Sequence, residues 1–292
     1  MSLPPEILKK VKLLEISTRR LVNNVFAGEY HSAFKGQGMT FSEFREYVPG
    51  DDVRSIAWAL TARAGKPYIK KYDEEREMTL MLAVDVSGSE DFGSKDYFKG
   101  EVITHLAALL SFSAVKNKDP VGLLLFSDQI EHYVPPRKGR GQIHRILRDL
   151  YYFKPRSRRT SIDTAMTYLQ GVMKKRANVF LFSDFYDSGF DRSLAMIGKK
   201  HEAVAVVVAD PTELKLPQVG LMDVEDPETG EILTVDTSSR SVRKQYELLM
   251  RKRKDERDQE LRRAQIERID VFTDQDIVAP LVQFFQRRHS RR

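Results

Sequence analysis

Residues 78–89 read Met78-Thr79-Leu80-Met81-Leu82-Ala83-Val84-Asp85-Val86-Ser87-Gly88-Ser89. The run is apolar up to Val84 and then turns abruptly polar. A short apolar run bounded by turn residues fits a strand buried on both faces. The strand therefore ends at Asp85, and Gly88 permits a tight turn beyond it.

Working outward, the same signature recurs. Val121 to Phe126, Asn178 to Phe182 and Ala203 to Ala209 are further short apolar runs. Ile130 to Val134 is placed to pair beside the first of them. Between the runs lie helical patterns at Val102 to Val115, Gln142 to Tyr151 and Ser161 to Lys175. Strands alternating with helices predict an α/β fold with a mostly parallel sheet flanked by helices. Residues 219–236 break the alternation, and Glu228-Thr229-Gly230-Glu231 marks a hairpin turn. A charged helix over 239–268, a strand over Ile269 to Phe272 and a helix over Ile277 to Phe285 complete this part.

Upstream, residues 4–22 predict a helix, with Pro4 and Pro5 in its first turn and Ile7, Val11, Leu14 and Leu21 on one face. Residues 35–76 hold Gly36, Gly38, Pro49, Gly50, Gly65 and Pro67 with the only tryptophan, Trp58. Such punctuation predicts a compact arm of turns and short strands. The expected organisation is a helix and arm over 1–76 packed on the main domain, that domain over 77–286, and a frayed basic tail over 287–292. Trp58 is expected to fill the arm's core. Arg45, Asp51, Asp52 and Arg54 are expected to form ion pairs docking the arm.

The 292 residues include no cysteine. That excludes disulfide frameworks, Cys-ligated zinc, iron–sulfur clusters and thiol catalysis. The longest apolar stretch, Leu106 to Val115, is far short of the roughly 20 residues a membrane helix needs. No basic n-region followed by an apolar h-region opens the chain, so a cytoplasmic protein is expected. Lys and Arg number 48 against 42 Asp and Glu, a net charge of +6. From Arg240 onward 15 basic residues face 9 acidic ones, so the whole surplus lies in the C-terminal segment.

In open α/β sheets, ligands collect beyond the carboxyl ends of strands. Asp85, Ser87 and Ser89 alternate in such a loop and can aim one carboxylate and two hydroxyls at one point. Oxygen-only ligation suits a hard cation such as Mg²⁺ or Mn²⁺. A loop whose Ser and Asp satisfy their own backbone explains the pattern equally well. A second strand also ends in a carboxylate, at Ser183-Asp184. Between the two lies Arg159-Thr160-Ser161-Ile162-Asp163, whose hydroxyls either supply a third loop or cap a helix.

Asp85-x-Ser87-x-Ser89, then Thr160 near a helix start, then Asp184 after a strand, resembles the metal-ion-dependent adhesion site of von Willebrand factor A domains. The arm sharpens the likeness. Phe44-Arg45-Glu46-Tyr47-Val48-Pro49-Gly50-Asp51-Asp52-Val53-Arg54-Ser55-Ile56-Ala57-Trp58 resembles the signature of the bacterial domain-of-unknown-function family 58. So do Thr61-Ala62-Arg63, the Tyr-Asp-Glu-Glu-Arg stretch at 72–76 and the Asp226 to Gly230 hairpin. The likeness covers roughly residues 35–285.

The resemblance implies a von Willebrand A-like, Rossmann-type sheet with the arm packed against it. By position, Ser87 and Ser89 would ligate Mg²⁺ or Mn²⁺ directly. Asp85 and Asp184 would bind it directly or through water, and Thr160 would approach from the second loop. An open position would accept an acidic residue from a protein partner, which the resemblance implies is a MoxR-type AAA+ ATPase or another von Willebrand A protein. Assembly or maturation of other proteins is the implied role. Three departures stand out. Glu90 replaces the usual apolar residue after the second serine, Ser161 replaces the usual Asp after Thr160, and Ala57-Trp58-Ala59 lacks the charges flanking the tryptophan.

Two rival functions are weaker. A metal-dependent hydrolase or phosphoryl-transfer enzyme needs an activated nucleophile and a placed base. None of His105, His132, His144 and His201 adjoins a nucleophile, and no Gly-x-x-x-x-Gly-Lys-Ser/Thr loop is present. No catalysis is therefore expected. Arg251-Lys252-Arg253-Lys254 could meet phosphates, but interleaved acids and the lack of an aromatic stacking set speak against nucleic acid. A degenerate site that binds its partner without metal is the remaining alternative.

Overall fold

The structure is a computed structural model and describes residue 30 and residues 38–75, 78–93 and 98–290. The helix expected over 4–22 lies outside the described residues. Two compact units separate, the smaller spanning Phe34–Met78 and the larger holding Thr79–Arg292.

In the smaller unit, β1 (Gly38–Glu46) and β2 (Tyr68–Glu75) pair antiparallel from Gly38 opposite Glu75 to Glu46 opposite Tyr68. Between them lies the short helix α1 (Trp58–Ala64), ended by Gly65 at φ 70°. The ion-pair expectation is modified. Arg45 grips Asp51 with two bonds, at 2.9 and 2.7 Å. Asp51 also accepts from the Val48 N–H at 2.9 Å. Asp52 instead caps a 3-10 turn through the Arg54 N–H. These contacts hold the unit's own corner. Trp58 does not fill a core; it is 69% exposed. Ala57, Leu60 and Thr61 supply the inward side of α1, so Trp58 falls on the outer one.

The larger unit follows the predicted alternation: β3 (Thr79–Asp85), α2 (Lys99–Lys116), β4 (Val121–Phe126), β5 (Ile130–Arg137), α3 (Arg140–Tyr152), α4 (Ile162–Val172), β6 (Ala177–Ser183), α5 (Asp191–Lys200), β7 (Glu202–Ala209), β8 (Leu221–Glu225), β9 (Ile232–Asp236), α6 (Arg240–Ala264), β10 (Glu267–Phe272) and α7 (Ala279–Ser290). Six strands form one sheet in the order β10-β7-β6-β3-β4-β5. All neighbours are parallel except β4 and β5. Strands β8 and β9 form a separate hairpin.

Every residue of β4 and β6 is buried, as is nearly all of β3 and β7. Helices cover both faces, and this burial explains their continuous apolar runs. Each buried Leu, Val or Phe contributes roughly 1.5–3 kcal/mol. Gly122 lets β4 pack closely, since a Cβ there would lie 2.8 Å from Met81 and 2.9 Å from Pro136.

Three elements differ from expectation. Helix α5 has no counterpart in the sequence reading, because only Ser193, Leu194 and Ile197 turn inward. Helix α6 stops at Ala264, where Gln265 takes a left-handed conformation, so Glu267 and Arg268 join β10. The tail is not frayed at 287–290: α7 continues to Ser290 and Arg288 is buried.

Candidate functional site

The sheet order places a topological switch between β3 and β6. The chain steps from β3 out to β4 and β5, then crosses back to β6, β7 and β10. Strand ends at such a switch leave a crevice for ligands. Val84 lies opposite Phe182 across the two strands. Asp85 and Asp184 therefore emerge from neighbouring strand ends.

Asp85 is buried, and both of its oxygens are engaged. Oδ1 accepts the Ser87 N–H at 2.9 Å, and Oδ2 accepts the Ser183 hydroxyl at 2.8 Å. The Ser87 and Ser89 hydroxyls lie 3.2 Å apart. That spacing is close to the ~3.0 Å edge expected between neighbouring oxygens around octahedral Mg²⁺. Asp184 accepts from the Tyr186 N–H at 3.1 Å, from Lys99 Nζ at 3.1 Å and from the Ser89 hydroxyl. Asp85, Ser87, Ser89 and Asp184 are thus linked around one strand-end loop.

Thr160 lies toward a different group, Glu228 on the β8–β9 hairpin, whose carboxyl burial and then Asp184 push up while Thr160 opposes them. Ser161 caps α4, accepting the Thr164 N–H at 3.3 Å. The loop before α4 still reaches the first loop, because the Gly88 N–H donates to Arg158 O at 2.9 Å.

Several residues beyond the expected ligands enter the site, and of these Lys99, Glu213 and Arg257 had not been singled out from the sequence. Lys99 has 0% side-chain exposure and bonds both Asp184 and Glu213. Its signal was a lysine at the first position of a helix, where the helix dipole disfavours a cation. Glu213 sits in the turn after β7. Arg257, buried on α6, donates to the Asp184 carbonyl at 3.2 Å. Ser183 holds Asp85. Glu90 is 5% exposed, and neither carboxylate oxygen has a hydrogen-bond partner.

The electrostatics follow from burial. Burial and the charge of Asp184 push Asp85 up to about 7, against the bonds from Ser87 and Ser183. Burial would raise Asp184 too, but the Lys99 ammonium, the Tyr186 N–H and the Ser89 hydroxyl hold it below the usual carboxylate range. Burial and then Asp184 push Glu90 well above its ordinary value. Burial also raises Glu213, opposed by Lys99. Three buried or nearly buried carboxylates, Asp184, Glu213 and Glu90, thus share the Lys99 ammonium, and Asp85 lies beside them without it. Among the described residues, no three Asp, Glu or His side chains converge on a point that could hold a metal ion. The set that fits a hard cation is two carboxylates, Asp85 and Asp184, with the Ser87 and Ser89 hydroxyls. Its charge deficit and its oxygen-only donors suit a divalent ion.

Residues 43–256 match the family described as "Protein of unknown function DUF58". Uncharacterized proteins from Mycobacterium bovis and Mycobacterium tuberculosis are each 30% identical over 231 residues, covering 78% of this chain and 73% of theirs. The solved structure of an aerotolerance-related membrane protein from Bacteroides fragilis is similar at 13% identity with a TM-score of 0.50. It covers 74% of this chain and 100% of that one. The architecture is von Willebrand A-like. The expectation of a cytoplasmic protein is corrected by this likeness. A structure of this fold is described as a membrane protein, so the fold does not fix a cytoplasmic location. An anchor elsewhere in a chain sets its address, not a sheet domain. Among the described residues, no helix is long and apolar enough to cross a membrane.

Proposed function

The chain belongs to the DUF58 family, and from that premise we propose that it is a non-catalytic, divalent-metal-dependent protein-binding module. The von Willebrand A-like fold supports the coarser part, a protein-interaction module. The observation that carries the metal is the meeting of Asp85, Ser87, Ser89 and Asp184 at adjacent strand ends. These residues would hold Mg²⁺ or Mn²⁺. A bound ion would supply a Lewis-acidic position for a partner's carboxylate. Lys99 and Arg257 hold Asp184 in place by its side chain and carbonyl, and Ser183 orients Asp85. The partner in this reading is a MoxR-type AAA+ ATPase or another von Willebrand A protein, acting in assembly or maturation of other proteins.

One observation favours a second reading, metal-independent partner binding. Lys99 already supplies a buried cation to Asp184 and Glu213. Calorimetric titration of Mg²⁺ and Mn²⁺ into wild type and Asp85→Ala separates the two. The metal reading expects binding by wild type alone, and capture of a MoxR-type ATPase that chelator or Asp85→Ala abolishes with the fold intact. Capture indifferent to both would leave the metal-independent reading.

A further inference from the structure

We infer that the outer face of the β8–β9 hairpin is a docking surface for a second copy of this chain, which offers it helix α6. Two such contacts, each made by one protomer's hairpin on its partner's helix, close a twofold dimer. The inference is independent of the metal reading above.

Among the described strands, β8 and β9 pair only with each other. Residues directly opposite across two strands share a face, as do alternate residues along one strand. The register therefore sets Leu221 opposite Asp236, Asp223 opposite Thr234 and Glu225 opposite Ile232 on one face. All six are exposed, whereas Met222, Val224 and Val235 of the other face are partly covered. Leu221 is 77% exposed and Ile232 63%. Each of these bare apolar side chains has an acid directly across from it. From Val219 to Ser239 the chain carries six acidic residues and no basic one. The chemistry that fits this face is basic and carries apolar side chains of its own.

Helix α6 has that chemistry. It holds ten basic residues against five acidic ones. It buries Met250, Arg257, Leu261 and Ala264. Lys244, Leu248 and Lys252 follow one another at steps of four and form one exposed ridge. Leu248 is 56% exposed and its neighbour Leu249 51%. Ridge and hairpin face are both bare, so they do not cover each other within one chain. Charge decides how two copies meet. Hairpin on hairpin sets acid against acid, and helix on helix sets base against base. Hairpin on helix sets Asp223 and Asp236 against Lys244 and Lys252, with Leu221 and Ile232 against Leu248 and Leu249. Both surfaces stand on one continuous segment. The Thr237 hydroxyl donates to Gly220 O at 2.6 Å, and Arg243 Nη1 donates to Ser238 O at 2.9 Å. These bonds tie the base of the hairpin to the first turn of α6. A twofold axis beside that segment brings both contacts together.

Sedimentation velocity on the full chain, over a range of concentrations, reads the assembly. A monomer–dimer equilibrium is expected, weakening as salt screens the exposed charges. Asp223→Lys and Lys244→Glu each set like charges at both contacts, and each is expected to weaken the dimer by about tenfold or more. Both positions are exposed, and circular dichroism checks that the fold is kept. An equimolar mixture of the two variants is expected to regain the wild-type dissociation constant. In the mixed dimer one contact is wild type and the other has both signs reversed, so each is again acid against base. Damage to the fold, or to some other surface, is not repaired by mixing. A wild-type chain that stays monomeric at about 100 µM overturns the inference and leaves the acidic face to a basic partner of another kind. A dimer indifferent to both substitutions, or a mixture no tighter than its components, overturns it as well.

Discussion

Both ring nitrogens of His201 are buried without a hydrogen-bond partner, at 2% exposure. Burial, then the charges of Lys200 and Arg176, push its pKa from 6.5 down to about 4. The unfolded chain takes up this proton near 6.5, the folded chain only near 4. Between those values the unfolded state binds more protons, so stability falls as pH drops through that window. His201→Phe removes the titration. The variant is expected to lie within about 1 kcal/mol of wild type at pH 7 and to exceed it by roughly 2 kcal/mol at pH 4.5. Guanidinium denaturation at the two pH values checks this, and parallel pH slopes in both proteins would refute it. The residue scale is also where the sequence was least legible. Asp85, Ser87, Ser89 and Asp184 stood out because they follow apolar strands. Glu213 lay in unremarkable surroundings, and the misplaced charge of Lys99 at a helix start gains its meaning only once its two carboxylates are seen beside it.

At the scale of elements, continuous apolar runs made β3, β4, β6 and β7 readable, since strands buried on both faces need no alternation. Helix α5 was hidden because so few of its residues face inward, and α6 was drawn too long because nothing in Gln265 announces a left-handed stop. The start of α4 shows how a helix end can pass for a ligand loop. Ser161 caps the Thr164 N–H and lies 2.9 Å from the Thr164 hydroxyl. Asp187 accepts the Ile162 N–H at 2.8 Å. Two orphan donors of the first turn are thereby satisfied. Ser161→Ala is expected to cost about 1 kcal/mol of stability and to leave Mn²⁺ affinity unchanged. Thermal denaturation and the calorimetric titration, run on the same variant, test both halves. A loss of metal affinity would make Ser161 a ligand after all.

For the whole molecule, strand order was beyond any local pattern, because neighbours in the sheet are set by packing between distant segments. Asp85 and Ser183 are 98 positions apart yet bonded at 2.8 Å. The C-terminal end is a second case. A run of arginines reads as a solvated tail, but α7 carries Arg288 back to the sheet's β10–β7 edge. There it bonds Glu267 of β10 at 2.5 Å and Glu202 of β7, and Glu202 is also held by Arg176. Arg288 has 8% side-chain exposure, so its removal leaves Glu202 short of a partner in a partly desolvated place. Breaking a buried pair from one side typically costs about 3–5 kcal/mol. The carboxylates here are less buried, and about 2–3 kcal/mol is expected for Arg288→Ala by guanidinium denaturation. Arg287→Ala, one residue away and exposed, is expected to change stability by less than about 0.5 kcal/mol. A frayed tail would make the two variants alike, whereas a closing ion pair separates them. Glu202 lies below its usual pKa chiefly through Arg288, against the effect of burial. Its contribution is therefore present above the unfolded carboxylate range and lost as pH falls through the folded pKa. The gap between Arg288→Ala and wild type should accordingly narrow in acid.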